Sequence, residues 1–313
     1  MATQETKQID GIISSRRAMM MLGGTALAGL ALAGTAKAQT AVTDTDILNF
    51  ALNLEYLEAN FYTLATAGAT IDSAAGGSLS ITGTGAQGGV TVKPTGAASC
   101  KVPFTTPGFA AYALETAKEE RNHVSAIRNA LGAAAVAQPA IDLYNSFLAL
   151  GTAVGVPGFD PFASELFFLL GAYIFEDVGV SAYHGAAGLI TDKAKVFPAA
   201  VGIHAVEAYH AGLIRAVLTT LDSATPAVGI AALTQKISRA RQTFDGSSTT
   251  DDVGIGPQNV ALNGAASTAT TVVNADANSI GWARTTTQVL GIVYAGGSGK
   301  GGFFPAGLNG TIR

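Results

Sequence analysis

The chain has 313 residues and a formal net charge of −4, and 48% of its residues are hydrophobic. This length is enough for one large hydrophobic core or for two smaller ones. No run or patch of basic residues follows residue 38, which argues against nucleic acid and anionic membranes as partners. The single cysteine, Cys100, excludes an intramolecular disulfide and a thiolate metal cluster within one chain.

Residues 1–38 are typical of an export signal that is removed. Two adjacent arginines precede an apolar run, residues 19–33, that is too short and too rich in Gly and Ala for a membrane span. The run ends in Ala36-Lys37-Ala38, which has the small-x-small pattern of a cleavage site. The segment resembles a twin-arginine (Tat) signal. We therefore expect a periplasmic or secreted protein, without stable membrane insertion after cleavage.

The first predicted helix covers residues 47–67 and follows side-chain oxygens that suit a helix N-terminus. Glu55 and Tyr62 lie on its apolar stripe, where core residues are expected. A buried carboxylate is costly unless it is paired or bound to a metal, so Glu55 is the candidate ligand of this helix. Glu58, on a second apolar stripe, is the alternative ligand and otherwise a neighbour of the site.

A segment rich in Gly, Ser and Thr, residues 68–106, separates the first helix from the second. In two stretches within it, residues 78–82 and 90–92, polar and apolar residues alternate, and this pattern predicts a small β-hairpin. A hairpin of this size needs support from the helices or from another subunit. We expect Cys100 to be a small buried hydrophobic residue, with an intermolecular disulfide as the alternative.

The second predicted helix, residues 109–131, carries Glu120 and His123 on its core-facing stripe. A Glu and a His three residues apart project from one face of a helix, which is the arrangement that a metal held between helices requires. Glu119 lies on the polar face of this helix, and we expect it to be solvated. The following connection, residues 132–162, is long enough to cross along a helical bundle.

The third predicted helix, residues 162–190, repeats a spacing of the first. Glu176 and Tyr183 are seven residues apart. The same spacing separates Glu55 from Tyr62, so each tyrosine lies two turns from a glutamate on the same face. We expect both tyrosines to hydrogen-bond metal ligands on the neighbouring helix. The alternative is a core aromatic residue with a satisfied hydroxyl group.

The fourth predicted helix, residues 198–221, repeats the motif of the second. Both contain Glu-x-x-His-x-x-x-Ile-Arg, and Glu207 and His210 are the Glu and His of this copy. Two copies indicate two related helical hairpins, in which the first and third helices supply the remaining glutamates. His204, one turn before Glu207, is expected in the core or beside the metal site.

Residues 226–313 form a predicted C-terminal extension without comparable chemistry. Residues 226–246 and 285–294 are expected to be helical, and the rest is rich in Gly, Thr and Asn. We expect Trp282 and the adjacent Phe303 and Phe304 to anchor the extension on the helices or on a neighbouring subunit. The sequence is therefore compatible with a homo-oligomer.

At these Glu and His positions the chain resembles the ferritin-like superfamily, and more narrowly the exported ferritin-like proteins related to the plant desiccation-associated group. The resemblance covers residues 44–222. It implies an all-α fold with a ferritin-like four-helix bundle over residues 39–225, in which residues 68–106 are an insert. It also implies two metal ions, Fe or Mn, and the ligand set Glu55, Glu120, His123, Glu176, Glu207 and His210. The insert and the C-terminal extension depart from the superfamily pattern, and they argue against assembly into a hollow iron-storage cage.

Carboxylate oxygen and imidazole nitrogen suit iron and manganese by ligand type. In the implied site Glu120 and Glu207 bridge the two ions, which then react with dioxygen or peroxide. The first hypothesis is an oxidase or peroxidase-like protein of oxidative or desiccation stress. The second is a di-manganese catalase-like enzyme. The third is a non-catalytic stress protein in which the metal only holds the helices of the bundle together.

Overall fold

The computed structural model describes residues 42–74, 77–247, 252–262 and 265–313, and the predicted export signal at residues 1–38 lies outside them. The α-helices are α1 (Asp44–Ala67), α2 (Pro107–Leu131), α3 (Asn145–Val154), α4 (Glu165–Ala187), α5 (Val196–Ala224), α6 (Ile230–Asp245) and α7 (Thr286–Val293). The long helices α1, α2, α4 and α5 form a four-helix bundle. In it, α1 packs mainly on α2 and α4 packs mainly on α5. The prediction of an all-α bundle is therefore confirmed.

Helix α1 is the most deeply buried helix of the bundle, and capping residues define both of its ends. Thr43 and Asp46 form a capping box at its start, three residues before the predicted one. Gly68 ends the helix in the left-handed conformation, with φ of 65°. Nearly every residue from Ile47 to Ala65 is buried, so this part of α1 lacks a polar face and its two glutamates, Glu55 and Glu58, lie inside the protein.

The predicted β-hairpin at residues 78–82 and 90–92 is wrong. Strand β1 (Val90–Thr91) pairs in parallel with strand β2 (Ile141–Asp142), which lies in the connection after α2. A Cβ atom on Gly88 would lie 2.3 Å from the backbone of that connection. The glycines of the insert therefore permit a close approach of two backbones, where the sequence had suggested turns of a hairpin.

Cys100 ends a short 3₁₀-helix, Ala97–Cys100, that packs on the C-terminal end of α1. Its side chain is fully buried and its thiol is free. Burial raises the pKa of this thiol. Cys100 thus has the environment of the small hydrophobic residue that was expected, and its burial disfavours an intermolecular disulfide.

A buried network of charges joins the C-terminal extension to the bundle. Arg215 of α5 pairs with Asp177 of α4 at 2.8 Å. Asp177 also pairs with Arg241 of α6 at 3.0 Å, and Arg241 pairs with Asp252 at 2.7 Å. All four side chains are buried, and removing one partner would leave an uncompensated charge inside the protein. The network therefore fixes α6 against α4 and α5.

The end of the chain reaches back to α1. After α6 the chain forms an antiparallel hairpin of β3 (Pro257–Leu262) and β4 (Ala265–Thr270), and then α7. The backbone amide of Asn309 donates to Asn53 Oδ1 at 3.1 Å, and Asn53 Nδ2 donates to the Asn309 carbonyl at 2.9 Å. The ring of Phe303, near the same end, packs on the bundle core. The extension thus covers the first helix of the bundle.

Helix α4 is long and apolar enough to cross a membrane, with a mean hydropathy of 1.4 in its most apolar window. However, 78% of that window is buried inside the protein. A core helix of a soluble bundle has the same two properties, so its apolar character is explained by packing against the other helices.

Candidate metal centre

The four bundle helices bring the six predicted ligands into one buried cluster. Each residue is at most 7% exposed: Glu55 on α1, Glu120 and His123 on α2, Glu176 on α4, and Glu207 and His210 on α5. They meet because the apolar stripe of each helix faces the centre of the bundle. Each Glu-x-x-His pair occupies successive turns of that stripe, so both copies point into the same interior volume.

The ligand atoms of this cluster form two groups that share Glu120. The first group is Glu55, Glu120, His123 and Glu207, and the second is Glu120, Glu176 and His210. Within each group the atoms lie within 4.8 Å of one another. Two metal ions with Glu120 between them match this division. Glu207 falls in the first group only, so it would be a ligand of one ion, although the resemblance implies that it is a second bridge.

Each histidine directs its Nδ1 atom at carboxylate oxygens from other helices. His123 Nδ1 lies 3.3 Å from Glu55 Oε2 and 3.4 Å from Glu207 Oε1. His210 Nδ1 lies 3.0 Å from Glu120 Oε1. The histidines themselves are close neighbours, with ring centroids 6.4 Å apart. The two halves of the cluster therefore have the same construction, as the repeated motif predicts.

Several atoms of the cluster are buried without a hydrogen-bond partner in the described parts of the chain. They are Glu55 Oε2, both carboxylate oxygens of Glu120 and of Glu207, Glu176 Oε2, His123 Nδ1 and His210 Nδ1. Buried polar atoms without partners are rare and costly. Two cations would satisfy all of these atoms at once. The donor set, oxygen with imidazole nitrogen, also suits iron or manganese, so the residues fit a two-metal group.

Tyr62 and Tyr183 exchange hydrogen bonds between the two helical hairpins. Tyr62 of α1 donates to Glu176 Oε1 of α4, and Tyr183 of α4 donates to Glu55 Oε1 of α1. Burial raises the pKa of both phenols well above the ordinary value, which keeps them protonated as donors. Each tyrosine occupies one oxygen of a glutamate and leaves the other, Oε2, directed at the metal-ligand groups.

Protons balance the charges of the clustered carboxylates and imidazoles. Burial opposes the charged form of His210, but the nearby carboxylate of Glu176 outweighs it and raises the pKa to about 12. Burial raises the pKa of Glu55 to about 7. Burial and neighbouring carboxylates also raise the pKa of Glu58 and of Glu207 well above the ordinary value. Binding of a metal ion would therefore displace protons from these groups.

Glu119 was predicted to be solvated, and this is wrong. Its Oε2 atom lies 2.7 Å from His210 Nε2, and its side chain is 30% exposed. A carboxylate at Nε2 fixes the proton there and leaves Nδ1 for a metal. The equivalent position in the second motif is Val206, so the repeat contained no signal for this contact. It depends on α2 and α5 being neighbours.

Gly179 on α4 makes room for the carboxylates of the cluster. A Cβ atom at this position would lie 2.2 Å from Glu207 Oε2 and 3.5 Å from Glu58 Oε1. Glu58 is 6% exposed and belongs to neither metal-ligand group. The structure therefore places Glu58 beside the site, next to the space that the missing side chain of Gly179 leaves open.

His204, the remaining residue that the sequence placed near the site, also belongs to neither group. It lines a cavity of about 420 Å³ together with His184 and Trp282. The rings of His184 and His204 are 5.9 Å apart. This cavity lies between α4, α5 and the C-terminal extension, and none of the six candidate ligands lines it.

Comparison with known proteins agrees with this geometry. A desiccation-related protein, PCC13-62 of Craterostigma plantagineum, is 30% identical over 260 residues, which cover 80% of this chain and 77% of the relative. The ferritin-like catalase Nec2 of Nesocodon mauritianus is 29% identical over 280 residues, or 86% of this chain and 84% of the relative. No solved structure matches the chain. Residues 43–220, which contain every candidate ligand, match the ferritin-like domain, and the chain belongs to the ferritin-like domain family.

Proposed function

We propose that this protein is an exported enzyme that disproportionates hydrogen peroxide at a two-metal centre containing iron or manganese. The observation that carries the proposal is the pair of buried ligand groups that share Glu120. A shared carboxylate places two ions side by side in the bundle core. The likeness to a relative named a ferritin-like catalase supports this reaction, and the likeness to a desiccation-related protein supports a role under desiccation stress. The predicted signal at residues 1–38 supports export.

Disproportionation removes two electrons and two protons from one peroxide molecule, which becomes dioxygen, and adds them to a second, which becomes two water molecules. The bound metal ions would supply the two-electron exchange. The protein has to hold the protons between the two halves of the reaction. Glu58 is placed to hold one of them, because it lies beside the ligand groups and because burial and the neighbouring carboxylate of Glu207 raise its pKa well above the ordinary value.

Other residues keep the ligands oriented and the site dry. Tyr62 holds one oxygen of Glu176 and Tyr183 holds one oxygen of Glu55, which fixes the direction of the other oxygen of each glutamate. Glu119 holds the imidazole of His210 from its outer side. Because the ligands are almost completely buried, few solvent molecules would surround a peroxide that has reached the site.

The decisive experiment combines metal analysis with oxygen measurement. The full-length protein is purified, its metal content is determined, and iron-loaded and manganese-loaded samples are mixed with hydrogen peroxide in an oxygen electrode. We expect one dioxygen released for every two peroxide molecules consumed. Glu120→Gln should reduce both the metal content and the oxygen yield strongly, because it removes the carboxylate that both groups share.

Glu115→Gln is the matched control, since Glu115 lies on the same helix but is exposed. It should leave metal content and oxygen release unchanged. Peroxide consumption without dioxygen would replace the proposal with a peroxidase or oxidase. Retention of metal without any peroxide turnover would show a structural metal that staples the bundle. Unchanged metal content in Glu120→Gln would refute the assigned site itself.

A further inference from the structure

A small pocket lies beside the second ligand group of the metal centre. Tyr62 in its wall donates a hydrogen bond to Glu176, a ligand of that group. Thr116, also in its wall, lies one helical turn before Glu120, the ligand that both groups share. Tyr112, a third residue of the wall, is 40% exposed. This Tyr62 pocket therefore extends from the protein surface to residues that adjoin the ligands.

The repeated hairpins place an equivalent pocket beside the first ligand group. Its wall includes Tyr183, which donates to Glu55, a ligand of that group. Ala113 in the Tyr62 pocket and Ala200 in this Tyr183 pocket are equivalent positions, because each precedes the Glu of its Glu-x-x-His motif by seven residues. The two pockets can therefore be compared position by position.

Two differences favour the Tyr62 pocket as the way to the metal ions. The second ligand group has three residues, whereas the first has four, so an ion in the second group would have more room for a ligand from solution. The Tyr62 pocket also contains the hydroxyl group of Thr116, with which no described residue forms a hydrogen bond. The equivalent residue of the second motif, Ile203, is apolar and does not line the Tyr183 pocket. A polar molecule that enters an apolar pocket needs such a hydroxyl group as a hydrogen-bond partner.

The Tyr62 pocket is also narrow and uncharged. The centre of a water-sized sphere can move through only about 10 Å³ of it, which is room for about one water molecule. None of the described residues in its wall carries a charge, and apolar side chains such as Phe109 and Leu213 form most of the wall. An anion would lose its hydration there without gaining a partner, and a branched organic molecule would not fit.

We propose that the Tyr62 pocket is the entrance to the metal centre and that its width restricts the substrate to small uncharged molecules such as hydrogen peroxide. Thr116 is the hydrogen-bond partner of the entering molecule, and Ala113 and Leu213 set the width of the passage. The ligand atoms are buried behind this wall, so the molecule passes to them when the side chain of Thr116 rotates. The choice of peroxide rests on the proposed function, whereas the position of the entrance is tested without peroxide.

Nitric oxide is the probe for the entrance, because it is uncharged, has two heavy atoms as hydrogen peroxide has, and binds to ferrous iron. The iron-loaded, reduced full-length protein is mixed with nitric oxide in a stopped-flow spectrophotometer, which records the rate at which the iron–nitrosyl absorption appears. Ala113→Leu replaces a methyl group in the wall by an isobutyl group. It should slow nitric oxide binding by about tenfold or more, because a filled pocket opens only when its close-packed wall moves.

Ala200→Leu is the matched control, since it makes the same change at the equivalent position of the Tyr183 pocket. It should leave the rate of nitric oxide binding unchanged. Leu213→Ala widens the Tyr62 pocket at a half-buried position, so it should accelerate binding, and it decides the matter even if Ala113→Leu does not fold. The entrance is refuted if Ala200→Leu is the variant that slows binding, or if neither Ala113→Leu nor Leu213→Ala changes the rate.

The restriction on substrate size has its own test. The unaltered protein should consume hydrogen peroxide but not tert-butyl hydroperoxide, and Leu213→Ala should gain activity on the larger compound. Equal consumption of both peroxides by the unaltered protein would overturn this part of the proposal. If the variants change nitric oxide binding as expected but no form of the protein consumes hydrogen peroxide, the entrance stands and only the proposed reaction is refuted.

Discussion

At the scale of single residues, two hydroxyl groups determine how the glutamates of the site are presented. Tyr62 and Tyr183 each donate to one carboxylate oxygen of a glutamate on the opposite hairpin. The second oxygen of each glutamate then faces the metal-ligand groups. Hydrogen bonds of this kind orient ligands, and their loss typically weakens metal binding by about 10–100-fold.

We therefore expect Tyr62→Phe and Tyr183→Phe to weaken metal binding by about tenfold or more each, while the helical bundle remains folded. The affinity is measured by competition with a chelator of known strength, and the fold by circular dichroism. Tyr209→Phe, at an exposed position of α5, is the control and should bind metal as the unaltered protein does. Equal affinities in all three variants would mean that the tyrosines are core residues without influence on the ligands.

The residue scale also shows how far the sequence could predict the site. The repeated Glu-x-x-His motif indicates four ligands, and the Glu-to-Tyr spacing singles out Glu55 and Glu176. Glu119 could not be found in this way, because its contact with His210 joins two helices that are distant in sequence. The spacing of residues along one helix predicts which side chains share a face, but not which side chain of another helix lies opposite.

At the scale of helices, Gly179 on α4 leaves room for the carboxylate of Glu207 on α5. Alanine in place of glycine normally stabilises a helix by about 1 kcal/mol. At this position, however, the added Cβ atom would lie 2.2 Å from Glu207 Oε2. That oxygen is the end of a flexible side chain, so the carboxylate can move without disturbing the backbone. The displaced carboxylate would then no longer lie in its metal-ligand group.

Gly179→Ala should therefore separate stability from metal binding. We expect the free energy of unfolding of the chelator-treated protein to change by at most about 1 kcal/mol, while the metal affinity falls. Gly202→Ala on α5 is the matched control, since a Cβ atom there meets no other atom within 4 Å. It should leave metal affinity unchanged. If Gly179→Ala binds metal normally, Glu207 has another position from which it can act.

The helices were far easier to predict than the insert. Helical stripes repeat over many turns, and capping residues such as Thr43 mark where a helix begins. The segment around Val90 alternates like a strand, but its partner Ile141 lies beyond the whole of α2. A short strand carries no information on which distant segment it pairs with, so the sequence pattern alone favours the nearest alternating stretch as its partner.

At the scale of the whole molecule, the cluster makes stability depend on pH. Folding raises the pKa of Glu55 from 4.5 to about 7 and raises the pKa of His210 from 6.5 to about 12. Between these unfolded and folded values the folded chain binds more protons than the unfolded chain, so stability falls as pH rises. Folding lowers the pKa of Glu120 to about 2, which has the opposite effect but acts below pH 4.5.

We expect the chelator-treated protein to be more stable at about pH 5 than at about pH 8, by roughly 1.4 kcal/mol per pH unit for each additional proton that the folded state holds. The metal-loaded protein should show the reverse trend, because metal ions replace those protons and bind more tightly as pH rises. Urea unfolding of both forms at the two pH values measures the difference. Parallel pH dependence of the two forms would show that metal and protons do not compete for the same groups.

The contact between Asn53 and Asn309 has a consequence for the order of events during synthesis. The two residues are 256 positions apart. At translation rates of about 5–20 residues per second, Asn53 emerges roughly 10–50 seconds before the segment that completes its hydrogen bonds. The first helix of the bundle is thus the last to be fully covered. Because that helix carries Glu55, one side of the helix that supplies this glutamate stays uncovered until the segment around Asn309 has emerged.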